Sequence, residues 1–259
     1  MKFISTVLLI AIFSLPAISQ EYTKAIEDNS FFIEEAYNQE DGVIQHIFTG
    51  FRLFRENTSE GSFTEEWPVF NQTHQASITI PFHHTTVAHP SSQGIGDIML
   101  NYRFEAWRST GLAVAPRISI ILPTGEESNG FGNGRVGVQI NLPMSKRISN
   151  DFVSHFNAGA TVIPDVQFTT SKAALTEYFV GASGIYLVGN NFNILTEILY
   201  SSSGSPFGRT NELIVSPGVR WAIDINNLQI VPGLVFPALF TNGTTVHGIF
   251  IYLSFEHIY

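Results

Sequence analysis

Apolar and polar residues alternate along this chain with a period of two. In "GIGDIMLNYRF" the positions Ile98, Leu100, Tyr102 and Phe104 fall on one side, and Asp97, Asn101, Arg103 and Glu105 on the other. Such alternation predicts a β-strand with one apolar and one polar face. The pattern recurs in "RVGVQINLPMS", where Val136, Val138, Ile140, Leu142 and Met144 oppose Arg135, Gln139, Asn141 and Ser145. It recurs in "THQASITIPF", where Ala76, Ile78, Ile80 and Phe82 oppose Gln75, Ser77 and Thr79. "NFNILTEILY" sets Phe192, Ile194, Ile198 and Tyr200 against Asn193 and Glu197, and "NELIVSPGVRWAID" sets Leu213, Val215, Val219 and Trp221 against Glu212, Ser216, Arg220 and Asp224. One strand alone does not say which face looks inward. In a soluble protein the apolar face packs on a core. In a transmembrane barrel it meets lipid, and the charges line the lumen.

Connections decide between the two. Turn-rich segments alternate between short (108–111, 145–151, 188–192, 224–227) and long (123–134, 164–173, 202–210, 240–247). That is the rhythm of an up-and-down barrel with tight periplasmic turns and longer outer loops; a Greek-key sandwich has no reason for it. Counting back from the last strand makes 83–93 an outer loop and 70–73 a periplasmic turn. It also requires strands near 62–69 and 43–54, where "SFTEEWPV" and "VIQHIFTGFRLF" stand. The expectation is an all-β, up-and-down antiparallel transmembrane β-barrel of about 12 strands over 43–259. Pro68 sits awkwardly for a ladder. The final strand, "IFIYLSFEHIY", alternates Ile249, Ile251, Leu253 and Phe255 and ends on Tyr259, an ending suited to recognition by outer-membrane assembly machinery.

Composition narrows the class. The chain of 259 residues has no cysteine, which excludes a disulfide scaffold, a Cys-attached lipoprotein and Cys₄ metal sites. Residues 1–19 carry Lys2, an apolar run from Phe3 to Leu15 and an Ala17-Ile18-Ser19 site. They read as a signal peptide cut before Gln20. Removing them takes the net charge from -9 to -10, and an acidic exported chain has no footprint for nucleic acid. No later stretch is apolar enough for a membrane helix of about 20 residues. The expected surroundings are outer-membrane lipid and a small-molecule solute, with no cofactor.

Several segments, in order, resemble a known family: "DNSFFIEEAYNQEDGVIQHI" (28–47), "EEWPVFNQTHQASITIPF" (65–82), "GIGDIMLNYRF" and "PRISIILPTG" (116–125). They are similar to the bacterial outer-membrane family named for the MetA (meta-cleavage) pathway of phenol degradation, and the resemblance covers most of the mature chain. It implies an outer-membrane barrel that takes up small, often aromatic compounds, and it implies no catalytic residues.

Function is therefore sought on the lumen face. The phase of the strands puts Asp97, Arg103, Glu105, Arg117, Arg135, Glu197, Glu212, Arg220, Asp224 and Glu256 there, with Phe250, Tyr252, Met99, Ile121 and Leu195. These charges form either a structural ion-pair network filling the barrel or a polar ladder guiding a solute. The mixture of polar and apolar lining favours a small apolar or aromatic solute over an ion. Residues 20–42, acidic and carrying Phe31, Phe32, Ile33 and Tyr37, form a plug that pairs Glu34 or Glu35 with lumen arginines, or else a periplasmic tail or a short helix across the barrel mouth.

Other motifs read as ordinary structure. "GEESNGFGNG" reads as a flexible outer loop, since no helix or Lys completes a phosphate loop and no spaced aspartates complete a calcium loop. His83, His84 and His89 read as solvated loop histidines, not a metal cluster. A barrel hydrolase would need a Ser–His pair oriented by an amide. In "SHFNAG", Ser154 and His155 are neighbours on a strand and face opposite sides, with Asn157 two residues on. The Asn-x-Ser/Thr matches at Asn57, Asn71 and Asn242 read as incidental.

Overall fold

In the computed structural model, residues 30–55, 58–86, 91–168 and 171–258 are described. The proposed signal peptide, residues 20–29, Asn57, His89 and Tyr259 lie outside them. The chain forms a closed antiparallel barrel of twelve strands with no α-helix among the described residues. Six strands are continuous: β1 (Val43–Leu53), β2 (Thr58–Val69), β3 (Asn71–Thr85), β7 (Phe152–Gln167), β8 (Lys172–Leu187) and β9 (Phe192–Ser205). β12 (Thr244–Ile258) is also continuous and pairs with β1 from Val43↔Ile258 to Leu53↔Gly248, which closes the barrel. The remaining five, β4 (92–109), β5 (112–121), β6 (137–149), β10 (208–225) and β11 (228–241), are broken by one to three irregular residues. Three breaks fall at Pro116, Pro143 and Pro237, which have no N–H to give the ladder. Their carbonyls still accept from Phe104, Ala115 and Gly248 at 3.0, 3.0 and 2.9 Å, so the wall remains continuous. Pro68 is accommodated at a bulge beyond the last β1–β2 pair, Gln45↔Glu66.

The phase read from alternation holds around the wall. Leu100, Ile118, Ile140, Val180, Ile194, Ile198 and Ile251 point outward and are exposed, while Asn101, Arg103, Asn141, Asn193 and Glu197 point inward and are buried. So broad an exposed apolar belt is untenable in water and natural in lipid. Aromatic residues mark its edges. Phe104, Trp107, Tyr186, Phe192 and Trp221 lie toward the end holding Val43 and Ile258 (the near end), and Tyr178, Tyr200 and Phe240 toward the far end. On β8 the two edges, Tyr186 and Tyr178, stand about 26 Å apart along the strand, or ~20 Å in height after tilt. Ile198 is paired with Ala182, midway between them. Ile198→Arg is expected to destabilise the barrel by about 2–4 kcal/mol, read as a lowered urea midpoint on folding into bilayers.

The connections differ from the expected rhythm. The "long" segments 202–210 and 240–247 are mostly strand, joined by two-residue hairpins at 206–207 and 242–243. Asn242 (φ 47°) and Gly243 (φ 75°) both adopt left-handed backbone, the form that lets a tight hairpin follow the strand twist. The outer halves of these strands simply continue beyond the apolar belt.

Candidate functional site

The barrel interior is not empty. Residues 30–42 belong to no strand and run along the inner wall; 30–39 are buried or half-buried, and Glu40 and Asp41 are exposed. Their apolar side chains complete the inward core. Phe31 meets Tyr252 edge-on (centroids 5.5 Å) and Phe250 (5.8 Å), and Phe32 meets Phe250 (4.8 Å) and Phe51 (5.8 Å). Val231, Val235, Ile47 and Ala222 surround this cluster. The wall makes room with glycines. A Cβ on Gly233 would strike the Phe31 ring, and one on Gly181 would strike Ile33.

Polar contacts fix the segment residue by residue. Glu197 Oε1 accepts the backbone N–H groups of Phe31, Phe32 and Ile33 at 2.9, 3.0 and 3.0 Å. Glu34 is clamped through its backbone by Asn157, whose Oδ1 accepts Glu34 N–H and whose Nδ2 donates to Glu34 O, both at 2.8 Å. Its carboxylate takes two donors from Arg117: Nε to Oε2 at 2.9 Å and Nη2 to Oε1 at 2.7 Å. Ala36 N–H donates to Ser145 Oγ at 2.7 Å. Arg103 spreads over the next turn of chain, donating to Asn38 Oδ1 (2.9 Å), Glu35 O (3.1 Å), Tyr37 O (2.6 Å) and the wall residue Gln75 (3.1 Å). Gln39 N–H donates to Gln75 and its side chain to Gln45, at 2.8 and 2.7 Å. Glu35 is itself buried. Burial, with Glu35 nearby, pushes the Tyr37 phenol up to about 12, so it stays a neutral hydroxyl under the Arg108 guanidinium, 5.6 Å from its ring.

Between this segment and strands β1–β6 a cavity of about 330 Å³ remains. Its lining mixes Phe31, Phe32, Ile47, Met99 and Tyr252 with a set of wall hydroxyls and amides. Thr49 and Ser62 are hydrogen-bonded at 2.7 Å and Thr64 to Thr79 at 3.0 Å, and Asn101 donates to Ser77 at 3.1 Å. Arg103, Arg117, Glu34 and Glu66 lie at its base, with Glu66 accepting from Gln75 at 2.7 Å. The opposite half of the lumen is filled: Arg220, Glu197, His155 and Ser216 have no exposed surface. Arg220 acts electrostatically on both Glu197 and His155.

Of the sequence candidates, Arg103, Arg117, Glu34 and Tyr252 border the cavity, and Glu197, Phe250, Glu35 and Tyr37 belong to the seat of the inner segment. Others are elsewhere. Asp97 anchors the loop 122–136, its carboxylate accepting from Gly125 N–H (3.0 Å) and from the backbone and side-chain N–H groups of Asn133 (2.8 and 3.1 Å). That loop is folded down, not free: Phe131 is buried and stacks on His83 at 5.6 Å. Asp97→Asn is expected to weaken this anchor by about 1–2 kcal/mol, read as faster proteolytic nicking within 122–136 while the barrel keeps its thermal midpoint. Arg135 ties loop backbone at the far end, donating to Asp165 O at 3.0 Å and Gly134 O at 2.8 Å. Glu212 stands opposite Thr241, also at the far end. At the near rim, Glu105 pairs with Arg108 at 3.3 Å, and Asp224 and Glu256 border a shallow groove with Glu40.

In the sequence His155 and Asn157 stand only as part of a rejected hydrolase motif, Gln75 and Ser145 only as polar-face positions, and Glu66 carries no local signal. Gln75 was visible as polar-face, but nothing local marked it as a partner of Gln39. Ser145 Oγ and His155 Nδ1 are 2.7 Å apart across adjacent strands, a Ser–His pair that a scan for neighbours in sequence misses. Both are fully buried, and Ala36 N–H occupies the serine Oγ while the segment is seated. His83 and His84 lie on β3, not in a loop, and face opposite sides; among the described residues no group of His, Asp and Glu converges as a metal site.

No family's sequence profile matches the chain, nor does any curated protein. Solved structures do. An outer membrane channel from Pseudomonas putida F1 superposes with a TM-score of 0.67 at 11% identity, over 86% of this chain and 98% of that one. The NanC porin gives 0.59 at 11%, over 81% and 98%. The β domain of the Bordetella autotransporter Brka gives 0.52 at 10%, over 85% and 100%. One architecture thus carries different tasks, and function rests on what fills the lumen. The fold of this chain is that of the outer-membrane β-barrels.

Proposed function

We propose that this protein is a bacterial outer-membrane channel that passes small hydrophobic or aromatic molecules down their gradient, with residues 30–42 as its closing element. The observation that carries this reading is the cavity of about 330 Å³ inside the barrel, walled by hydroxyls and aromatic rings and bounded by a segment that is not part of the wall. Its size suits a phenol-sized body, and its mixed lining suits an amphipathic one. The near end, with its tight turns, faces the periplasm, and the last strand engages the assembly machinery. The resemblance to the phenol-pathway family and the porin neighbours support the reading.

A second reading is a permanently closed barrel acting through its outer loops. The fully buried half of the lumen favours it. Uptake of a labelled, polar, phenol-sized aromatic into liposomes holding the refolded protein separates the two. Uptake above empty liposomes, and faster uptake when 20–40 are deleted, is the expected result. No uptake by either form favours the closed barrel.

A further inference from the structure

We propose that Arg117 is a carboxylate-recognition site which Glu34 occupies in the closed protein, and that a small solute with a carboxylate on an aromatic or short apolar body opens the channel by taking its place. The proposal rests on the channel reading above and names the solute class.

The site is built by the wall, not by Glu34. Arg117 Nη1 donates to Asn101 Oδ1 at 2.7 Å and to Ser119 Oγ, and Nη2 donates to Gln139 Oε1 at 2.7 Å. These bonds hold the guanidinium plane fixed from β4, β5 and β6, so its free edge stays aimed inward when Glu34 leaves. That edge offers Nε and Nη2 side by side, the fork that matches a carboxylate's two oxygens. Glu34 fills it at 2.9 and 2.7 Å, yet its side chain keeps 33% of its surface exposed against 10% for Arg117. A competitor can therefore reach the pair from the cavity.

Charge and shape point to the same ligand. The base of the cavity holds two guanidiniums, Arg103 and Arg117, against two carboxyls, Glu34 and Glu66. Once Glu34 swings away, the Arg117 fork is left without the carboxylate it holds, and one carboxylate on a small solute restores that pair. The inner segment also places Phe32 in the same cavity, two residues before Glu34. The segment thus presents a ring and a carboxylate to one pocket, which is the chemistry of an aromatic monocarboxylate supplied in cis. Displacement of Glu34 removes a two-pronged ion pair between the inner segment and the wall, and loosens the segment at the point where it borders the cavity.

The test uses the full-length mature chain with benzoate at pH 8, benzamide as the uncharged control, and two readouts: equilibrium binding in detergent and conductance in planar bilayers. Wild type should bind benzoate and not benzamide, and benzoate should raise its conductance. Glu34→Gln removes the internal competitor and should tighten benzoate about tenfold while conducting without it. Arg117→Gln should abolish the benzoate response. A Glu34→Gln protein that folds but binds benzoate no tighter than wild type overturns the proposal, since a merely structural Glu34 predicts that result. If Glu34→Gln conducts and benzoate has no effect, the carboxylate proposal falls and the channel stands. If no form conducts, the channel reading falls and takes the proposal with it.

Discussion

Replacing Glu197 by leucine will release the tip of the inner segment and leave the barrel standing. One carboxylate oxygen accepts three consecutive backbone N–H groups, those of Phe31, Phe32 and Ile33. Leucine fills the space but accepts nothing. Three donors left in an apolar hole cost roughly 3–9 kcal/mol at about 1–3 each. That cost is as large as or larger than the about 3–6 kcal/mol by which burial of Phe31 and Ile33 holds the tip in place. A shift of even 3 kcal/mol changes the ratio of seated to released segment by about two orders of magnitude. The wall does not depend on this oxygen, because β9 is held on both sides by backbone ladders. The chain has no cysteine, so a single Ser30→Cys substitution reports the seat directly. Ser30 is buried and hydrogen-bonded to Ser183 at 2.7 Å. The introduced thiol should react slowly when Glu197 is present and at least tenfold faster in the Glu197→Leu background. Glu197→Gln, which keeps an accepting oxygen, should change little. Equal labelling in all three backgrounds would show that Glu197 does not hold the tip.

Arg103→Met will free the second half of the segment. The guanidinium donates to two backbone carbonyls, Glu35 O and Tyr37 O, and to the side chains of Asn38 and Gln75. Hydrogen bonds from a charged donor are worth about 1.5–3 kcal/mol each, and methionine replaces the volume without any of them. The amides of Ala36 and Gln39, bonded to Ser145 and Gln75, report the effect. Their hydrogen exchange should accelerate by about 100-fold while that of β7–β10 stays slow. Unchanged protection over 30–42 would mean that the apolar contacts suffice without Arg103.

Much of this architecture is written locally. Alternation assigned Leu100 and Tyr102 to lipid and Arg103 to the lumen because a strand has only two faces and a barrel makes all strands agree on which is inside. Parity of the connections gives strands near 43–54 and 62–69, which stand in the structure as β1 and β2. Loop lengths were harder to read, since polar residues at 202–210 and 240–247 look the same in a loop as in a strand that has left the lipid. Asn242-Gly243 was the local signal for a tight hairpin there. The seat of the inner segment was mostly illegible, because its contacts join residues far apart in sequence: Glu34 with Arg117, Ser30 with Ser183, Phe31 with Glu197. Acidic and aromatic residues hint that residues 30–42 have partners inside a barrel. Only the closed sheet says which. Glycines at 181 and 233, in mid-strand, were the overlooked clue, since a missing side chain there signals a close neighbour.

On the channel reading, a continuous path through the barrel is closed by a segment that can leave it. Conductance of single proteins in planar bilayers, with and without residues 20–40, tests it most directly. The deleted form should carry a steady, ohmic current, many times the residual current of the full chain, while its circular dichroism remains that of a folded barrel. A folded deletion protein that carries no more current than the intact chain would contradict it, and would place the barrier in the wall's own side chains.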